Sequence, residues 1–325
     1  MITRRELLLV FGAGALAAPL SAFAQQPSAK VPRIGVLWPN PPATFEFFRQ
    51  GMSDLGYAEG RNISFEYRWA QDKLGQLPEL AADLVSMKVD VILALAPQAG
   101  LAAKGATQTI PIVCVAIGDP IASGLVTSLA HPDGNLTGTT RMLSEMSVKH
   151  LEFLKQVVPS LSRVAVLWNP DNTSHTPALK AVEATARSLS LQLQPLAVHA
   201  PSEFDSVFAA IARERANGIL FLADPVFFIH LKRVTELIAS ARLPAVSNFT
   251  EYPKLGGLMG YSPSIPEEFR LAASYIDKIL KGAKPGDLPI QQPTKFELVI
   301  NRKTAKTLGL KIPQELLLRA DKVIE

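Results

Sequence analysis

Short polar or proline-containing turns follow six apolar runs of the sequence, at the points where each run stops. They begin at Trp38-Pro39, Ala96-Pro97, Asp119-Pro120, Asn169-Pro170, Asp224-Pro225 and Asn248-Phe249. An apolar run without polar alternation is typical of a parallel strand covered on both faces, and ligands of open α/β sheets bind at the carboxyl ends of such strands. We therefore expect the six turns to form the rim of a binding cleft.

The chemistry that these turns offer is recognition of a small charged molecule. Free N–H groups at the following helix starts favour an anion such as a carboxylate, while Asp119 and Asp224 are able to accept an ammonium group. The alternative is that each Asp or Asn only caps its own helix, which is the commonest role of such residues there. Since a capping side chain has two acceptor positions, the two roles are compatible.

Aromatic residues near the strand ends leave a second alternative open. The rings of Trp38, Trp168, Phe227 and Tyr261 either stack on a flat ligand or pack in the core and between lobes. Both interpretations fit the sequence.

Catalytic and metal-binding motifs are not found. The sequence has no G-x-S-x-G, no H-E-x-x-H, no Walker sequence and no G-x-G-x-x-G after a strand. The five histidines are scattered without metal-ligand spacing. We therefore expect no catalytic residues, no metal and no cofactor.

Strands alternate with helical patterns along the whole chain, and the run RIGVLW at 33–38 nearly repeats as RVAVLW at 163–168. One helix is predicted directly after Asp119, because Ile121, Leu125 and Leu129 are spaced four apart. Right-handed crossovers then place helices on both faces of each sheet. The pattern predicts an α/β protein with two three-layer α/β/α lobes and parallel sheets.

The expected organisation has four parts. Residues 1–24 form a signal peptide, residues 32–140 an N-terminal lobe and residues 141–255 a C-terminal lobe. Residues 256–325 cross back and pack across both lobes, which makes a hinge with the ligand cleft between the lobes.

Composition and charge bound the function. The chain has 325 residues, 48% of them hydrophobic, which is enough for more than one core. Its formal charge of +4 is spread out, so we expect no nucleic-acid partner. The single cysteine, Cys114, lies within an apolar run and cannot form an internal disulfide.

The first 24 residues have the layout of an export signal. A basic start with Arg4 and Arg5 precedes an apolar stretch, and Ala22 and Ala24 form an A-x-A-like cleavage site. The paired arginines also resemble a twin-arginine signal, so the export route stays open. We expect a mature protein in the periplasm.

Long ordered blocks of the sequence resemble the exported substrate-binding proteins of ABC transporters, in the group with tryptophan- and phenylalanine-binding members. The blocks are LGYAEGRNISFEYRWA, LAADLVSMKVDVILA, ATQTIPIVCVAIGDPIASGLVTSLAHPDGNLTG, LPIQQPTKFELVINRKTAKTLGLKIP and LLLRADKVIE. The family's usual small hydroxyl residue after the third strand is replaced here by Pro97-Gln98, within a pocket loop.

The resemblance implies a fold like that of type I periplasmic binding proteins, which closes on a small molecule and then docks on a membrane permease. The solute is expected to be an aromatic or branched amino acid, or an aromatic acid, and the protein a monomer. The expected ligand-binding residues are Trp38, Asn40, Pro97, Gln98, Ala99, Gly118, Asp119, Asn169, Asn172, Asp224, Asn248 and Tyr261.

Two other functions compete with solute delivery. An exported enzyme acting on a small carboxylate would use the same cleft, and a sensory module would present its ligand to a membrane receptor. Turnover of a bound ligand would distinguish the enzyme, whereas the sensory module differs only in its partner.

Overall fold

The first lobe is built on a parallel sheet of apolar strands. The computed structural model describes residues 30–39, 44–71 and 73–325, and residues 32–325 form one compact unit. Five strands of the described chain pair in the order β2-β1-β3-β4-β5. They are β1 (Arg33–Trp38), β2 (Ser64–Trp69), β3 (Val91–Leu95), β4 (Ile112–Ile117) and β5 (Leu136–Thr140). The central strands β3 and β4 are almost wholly buried, as expected for a sheet covered on both faces.

Helices cover both faces of this sheet. On one face an aromatic core joins the sheet to α1 (Phe45–Asp54) and to a helix from late in the chain, α10 (Ile265–Leu280). The opposite face packs on α2 (Leu77–Ser86) and α3 (Ala96–Ala106). A short 3-10 turn, Leu74–Gln76, leads into α2.

The second lobe is built on a larger sheet, with the strand order β12-β11-β10-β9-β8-β6-β7. Its strands are β6 (Arg163–Trp168), β7 (Gln192–Ala197), β8 (Gly218–Phe221), β9 (Ala245–Ser247), β10 (Met259–Pro263), β11 (Phe296–Asn301) and β12 (Lys322–Ile324). All neighbouring pairs are parallel except β10 and β11, which are antiparallel.

Two helical layers again enclose the sheet. One apolar core lies under α4, α5, α11 and α12, and the other under α6, α7, α8 and α9. These helices are α4 (Leu143–Val157), α5 (His175–Ser188), α6 (Phe204–Arg213), α7 (Pro225–Ile229), α8 (Leu231–Ala241), α9 (Glu251–Lys254), α11 (Arg302–Thr307) and α12 (Gln314–Arg319). Two further 3-10 turns are Pro201–Glu203 and Pro285–Asp287. The predicted pair of three-layer α/β/α lobes is confirmed.

The chain passes between the lobes three times. It leaves the first lobe between β5 and α4, returns between β10 and α10, and leaves again through residues 292–295 before β11. Gln291 is held to the end of β5, because its N–H donates to Gly138 O and its carbonyl accepts from Thr140 N. The three crossings lie side by side and connect the lobes as a hinge.

The helix predicted after Asp119 is wrong. Residues 120–124 form turns, in which Gly124 has a positive φ of 73°, and residues 125–129 are irregular. The apolar residues of this segment are needed for burial and not for a helix, because Leu125 and Val126 pack against the sheet. Lys104 Nζ donates to the carbonyls of Gly124 and Leu125, which satisfies groups that a helix would have used internally.

Strand β5 was missed, because its sequence, LTGTT, has only one strongly apolar residue. Among the described residues, no helix is both long and apolar enough to cross a bilayer. The predicted signal peptide at 1–24 lies outside the described residues.

Candidate functional site

A cavity of about 670 Å³ lies between the two lobes, where the strand ends of both sheets face each other. Its walls are mainly apolar: Phe47, Leu95, Pro97, Phe228, Ile229, Phe249, Ile265 and Phe269. Among the described lining residues, Arg141 is the only cationic side chain, and Asp224 and Glu251 are the anionic ones. A largely apolar pocket with a few polar groups is typical of a small-molecule site.

A larger groove, of about 820 Å³, lies between α2 and α3 on one side and the 199–201 turn and α7 on the other. Its charged side chains, Asp171 and His199, pair with each other at 3.0 Å and are at least half exposed. These two side chains bond to each other and are also solvated by water. A ligand would therefore gain less from hydrogen bonds to them than from the buried polar groups of the cavity.

Asp224 is the most highly coordinated acidic side chain of the site. It caps α7, because Oδ1 accepts the N–H of Val226 at 2.9 Å and the amide of Asn169 at 3.2 Å. Its other oxygen, Oδ2, accepts from Asn172 at 2.8 Å and from Gln98 at 3.1 Å. The predicted capping role is therefore present, and the side chain is fully buried.

His175 lies behind Asp224 and is also fully buried. The N–H of Asn169 donates to Nδ1 at 2.8 Å, so the ring proton is on Nε2, which lies 3.0 Å from Ala223 O. Burial lowers the pKa of His175, although the nearby carboxylate of Asp224 opposes this. The imidazole is thus a neutral support for the 169–175 turn.

Among the described residues, two hydrogen bonds connect the lobes across the cleft away from the hinge crossings, and a third, from Leu143 N to Gly118 O, lies beside the first crossing. Gln98 of α3 donates to Asp224, and the N–H of Asp119 donates to Ser174 Oγ at 2.9 Å. Gly118 allows the close approach here, since a Cβ at this position would lie 2.7 Å from Ser174 Cβ. The lobes are therefore in contact, as in a closed binding protein.

Arg141 enters the cavity from the first hinge crossing. Its Nε and Nη2 donate to Glu268 Oε2 at 3.1 and 2.8 Å. Glu268 is itself fixed, because its Oε1 accepts from Thr139 Oγ1 at 2.9 Å. The carboxylate side chain is 5% exposed, so this ion pair is nearly dry.

Three long helices begin at the cavity. Its lining includes the first residues of α3, α4 and α10, namely Ala96, Leu143 and Ile265. None of these helix starts carries a side-chain cap. The N–H of Leu143, the first of α4, donates to Gly118 O at 2.9 Å, and the dipoles of the three helices favour a negative charge in the cavity.

The structure brings several of the expected site residues together. Pro97, Gly118, Asn172 and Asp224 line the cavity, and Gln98 and Asn169 bind Asp224. Asn248 follows β9 with its amide buried and unpaired, beside the lining residue Phe249. Asn40 lies outside the described residues.

Four expected site residues have other surroundings. Trp38 is fully buried among Phe45, Trp69 and Phe269 in the first lobe, and Tyr261 stacks on Phe296 in the second. Ala99 is buried in the core beneath α3. Asp119 caps its own turn by accepting from Ala122 N. For these aromatic residues, core packing is the interpretation that the contacts support.

Sequence reasoning missed Arg141 and Glu251. Arg141 follows the end of β5, so the strand-end rule would have included it if that strand had been recognised. Glu251 lies three residues after Asn248, on the short helix α9, which had no clear sequence pattern. The apolar residues Phe47 and Phe269 lie on helices, where their spacing predicts only burial.

Two α/β lobes joined by three hinge crossings, with the cavity between them, define a two-lobed solute-binding protein of the type I periplasmic class. The sequence pattern of the ABC transporter substrate binding protein family matches residues 40–324. The chain belongs to this family, and its function is that of a substrate-binding protein.

Individual relatives agree with this assignment. A tyrosine-binding protein of Clostridioides difficile is 25% identical over 263 residues, which cover 81% of this chain and 75% of the relative. A conserved domain protein from Vibrio cholerae is 27% identical, with a TM-score of 0.85 over 90% of this chain and all of the other. An ABC domain from Streptococcus pneumonia in complex with L-Trp shares the fold, with 24% identity and a TM-score of 0.84 over 90% and 99% of the chains.

Proposed function

We propose that this protein captures a small solute with a carboxylate and an apolar body in the cavity between its lobes, and delivers it to the permease of an ABC importer. The solute is an aromatic or branched amino acid, or an aromatic acid. The observation that carries the proposal is the composition of the cavity: aromatic and aliphatic walls with one arginine among the described lining residues.

Apolar walls favour burial of a hydrophobic body. Contacts with Phe47, Phe249 and Phe269 would remove aromatic or aliphatic surface from water, at about 25 cal/mol per Å². A free carboxylate would gain from the guanidinium of Arg141 and from the three uncapped helix starts. The two halves of the cavity therefore match the two halves of an amphipathic acid.

The relatives support this class of solute. One is described as a tyrosine-binding protein, and a solved structure of the same fold holds L-Trp. Both of those solutes combine a carboxylate with an aromatic ring, as does the solute class proposed for this protein.

Capture follows from hinge closure. A ligand that contacts both lobes stabilises the arrangement in which Gln98 reaches Asp224, and so shifts the population towards the closed state. Proteins of this family act outside the cytoplasm, and the signal-like residues 1–24 fit export to the periplasm.

A thermal-shift and recovery experiment tests the function. The purified protein is screened with aromatic and branched amino acids and with aromatic acids, and the bound compound is then released and identified by mass spectrometry. We expect a raised melting temperature and recovery of the unchanged compound. Chemical conversion of the compound would support the competing enzyme, and absence of any stabilisation would contradict the proposed solute class.

A further inference from the structure

The side chains of the cavity wall carry more negative than positive charge. Asp224 and Glu251 are anionic, whereas Arg141, the one cationic side chain among the described lining residues, is already paired with Glu268. A solute with a carboxylate alone would add a further negative charge to this wall, and like charges placed together weaken binding. A positive charge on the same solute would offset this cost.

The two anions of the wall differ in the hydrogen bonds that they accept. Each oxygen of Asp224 accepts two hydrogen bonds from the protein. Glu251 Oε2, in contrast, is buried and has no hydrogen-bond partner in the described part of the chain. Its other oxygen, Oε1, lies 4.0 Å from Lys254 Nζ, and both side chains are more than a third exposed, so this ion pair contributes little. A buried carboxylate oxygen without a donor costs free energy, and a donor on the ligand would remove that cost.

Asn248 brings a second unpaired acceptor to the same segment. Its side chain is 1% exposed, and neither Oδ1 nor Nδ2 has a hydrogen-bond partner within the described ranges. Buried amides in folded proteins nearly always have a partner, so this one indicates a place that another molecule completes. Asn248 and Glu251 lie where β9 leads into α9, on either side of the cavity-lining Phe249.

An ammonium group has the chemistry that this segment lacks. It carries a positive charge and three N–H donors, and it accepts no hydrogen bond. Arg141 belongs to the first hinge crossing and Glu251 to the second lobe, and both line the same cavity. A solute with both a carboxylate and an ammonium group therefore has a partner of opposite charge on each side of the cleft.

We propose that Glu251 binds the α-ammonium group of the solute, with Asn248 Oδ1 as a second acceptor. The protein then selects amino acids over the matching acids that lack the amino group. This inference rests on the proposed function and narrows its solute class to aromatic or branched amino acids. Asp224 adds its negative charge to the attraction, while its hydrogen bonds stay within the protein.

Matched compounds test this specificity. Calorimetry compares phenylalanine with 3-phenylpropanoate and with 2-phenylethylamine, and leucine with 4-methylpentanoate. We expect each amino acid to bind at least about ten-fold more tightly than its deaminated acid, because the acid leaves Glu251 without a donor and adds a negative charge.

The outcomes separate this inference from the proposed function. An acid that binds as tightly as its amino acid would overturn the inference and leave the proposed function intact. If 2-phenylethylamine binds as tightly as phenylalanine, the ammonium site is supported and the carboxylate part of the proposed function is wrong. If none of the compounds binds, both fail.

Glu251→Gln tests the residue, since it keeps the shape of the side chain and removes its charge. Phenylalanine should bind at least about ten-fold more weakly to this variant, whereas 3-phenylpropanoate should bind equally well or more tightly. Glu236→Gln, exposed on α8 and outside the cavity lining, is the matched control and should leave both affinities unchanged. A Glu251→Gln variant that keeps the full preference for phenylalanine would exclude Glu251 as the ammonium-binding residue.

Lys254→Gln distinguishes a ligand-binding role of Glu251 from a structural ion pair. The proposal expects phenylalanine to bind at least as tightly as before, because the lysine no longer competes for the carboxylate. A loss as large as that of Glu251→Gln would show that Glu251 acts through Lys254 and would overturn the assignment.

Asn248→Leu tests the second acceptor. Replacing an unpaired buried amide by an apolar group of similar size should not lower the melting temperature of the ligand-free protein. The variant should lose affinity for phenylalanine but not for 3-phenylpropanoate. Equal weakening of the two compounds would contradict the role of Asn248.

Discussion

At the scale of single residues, the site depends on a buried carboxylate whose neighbours are all donors. Asp224 accepts from two asparagine side chains, one glutamine and one backbone N–H. A buried charge is tolerated only when its hydrogen bonds are complete. The amides of Asn169 and Asn172 thus stabilise this charge by donating to it. Loss of any one partner would leave a buried polar group without its hydrogen bond, which lowers stability.

Asp224→Asn is expected to lower the free energy of unfolding by about 3 kcal/mol, because an NH₂ group would then face donors that have lost their acceptor. Urea unfolding at neutral pH measures this loss. Asp119→Asn is the matched control, since its side chain accepts a single bond from Ala122 N and an asparagine oxygen can replace it. Equal losses in the two variants would show that the donor network around Asp224 is not what stabilises it.

The buried histidines give the fold an acid limit. Burial lowers the pKa of His150 to about 4, although its ring contact with Tyr261 O, at 2.6 Å, opposes the shift. In the unfolded chain the pKa is near 6.5. The unfolded state therefore binds the proton more readily. The stabilisation is complete above pH 6.5 and decreases as the pH falls towards 4.

We expect His150→Gln to flatten the acid dependence of unfolding by about 1.4 kcal/mol per pH unit between pH 6.5 and 4. Urea titrations at a series of pH values measure the slope. His199→Gln is the control, because His199 is on the surface and its contact with Asp171 raises its pKa instead. A slope that His150→Gln leaves unchanged would mean that other groups set the acid limit, His175 first among them.

At the scale of elements, the edge of the first sheet depends on one glycine. Gly138 of β5 has a φ of 149°, and a Cβ there would lie 1.7 Å from Cys114 O of β4. Strand pairing between β4 and β5 is irregular at this point, with a register shift after Cys114. The close contact between β4 and β5 at this glycine sets the position of the end of β5, and Arg141 follows there at the first hinge crossing.

Gly138→Ala should therefore destabilise the protein by about 3 kcal/mol or more, because the two backbones would have to separate. Gly105→Ala, on the exposed side of α3 with no atom near its added Cβ, should instead stabilise it by up to about 1 kcal/mol. Thermal and urea unfolding of both variants give the comparison. Loss of stability in both would indicate a general intolerance of α3 and β5 rather than the predicted clash.

Elements with a strong local sequence pattern were predicted correctly, and those without one were not. Strands such as Val91–Leu95 and Arg163–Trp168 are continuous apolar runs, and they were found with the lobes that they build. The turns after Asp119 were read as a helix, because burial against the sheet imitates helical spacing. The expected residues that line the cavity, such as Pro97, Gly118 and Asp224, lie at strand ends that the sequence marks with proline. Arg141 was not predicted as a site residue, because its position in the cavity is fixed by Glu268, which is 127 residues away in the chain.

At the scale of the whole molecule, the hinge crossings and the hydrogen bonds that hold the lobes closed lie on different sides of the cleft. The three crossings hold one side, and the bonds from Gln98 to Asp224 and from Asp119 to Ser174 join the lobes on the other. A protein that must bind and release needs closure to be reversible. In the described part of the chain, these two hydrogen bonds join the lobes away from the crossings, so a ligand that contacts both lobes decides the balance between open and closed forms.

Gln98→Ala should shift the ligand-free protein towards the open form, because the closed form loses a hydrogen bond to a charged group, worth about 1.5–3 kcal/mol. That energy corresponds to a roughly 10- to 150-fold change in the open-to-closed ratio. Small-angle X-ray scattering should then show a larger radius of gyration for the variant, which a saturating apolar amino acid restores. Gln108→Ala, an exposed glutamine just beyond α3 whose amide donates to Lys104 O, is the control and should scatter like the unaltered protein. Identical scattering of all three proteins without ligand would show that the Gln98 contact does not set the balance, and closure would then depend on the ligand and the remaining contact at Ser174.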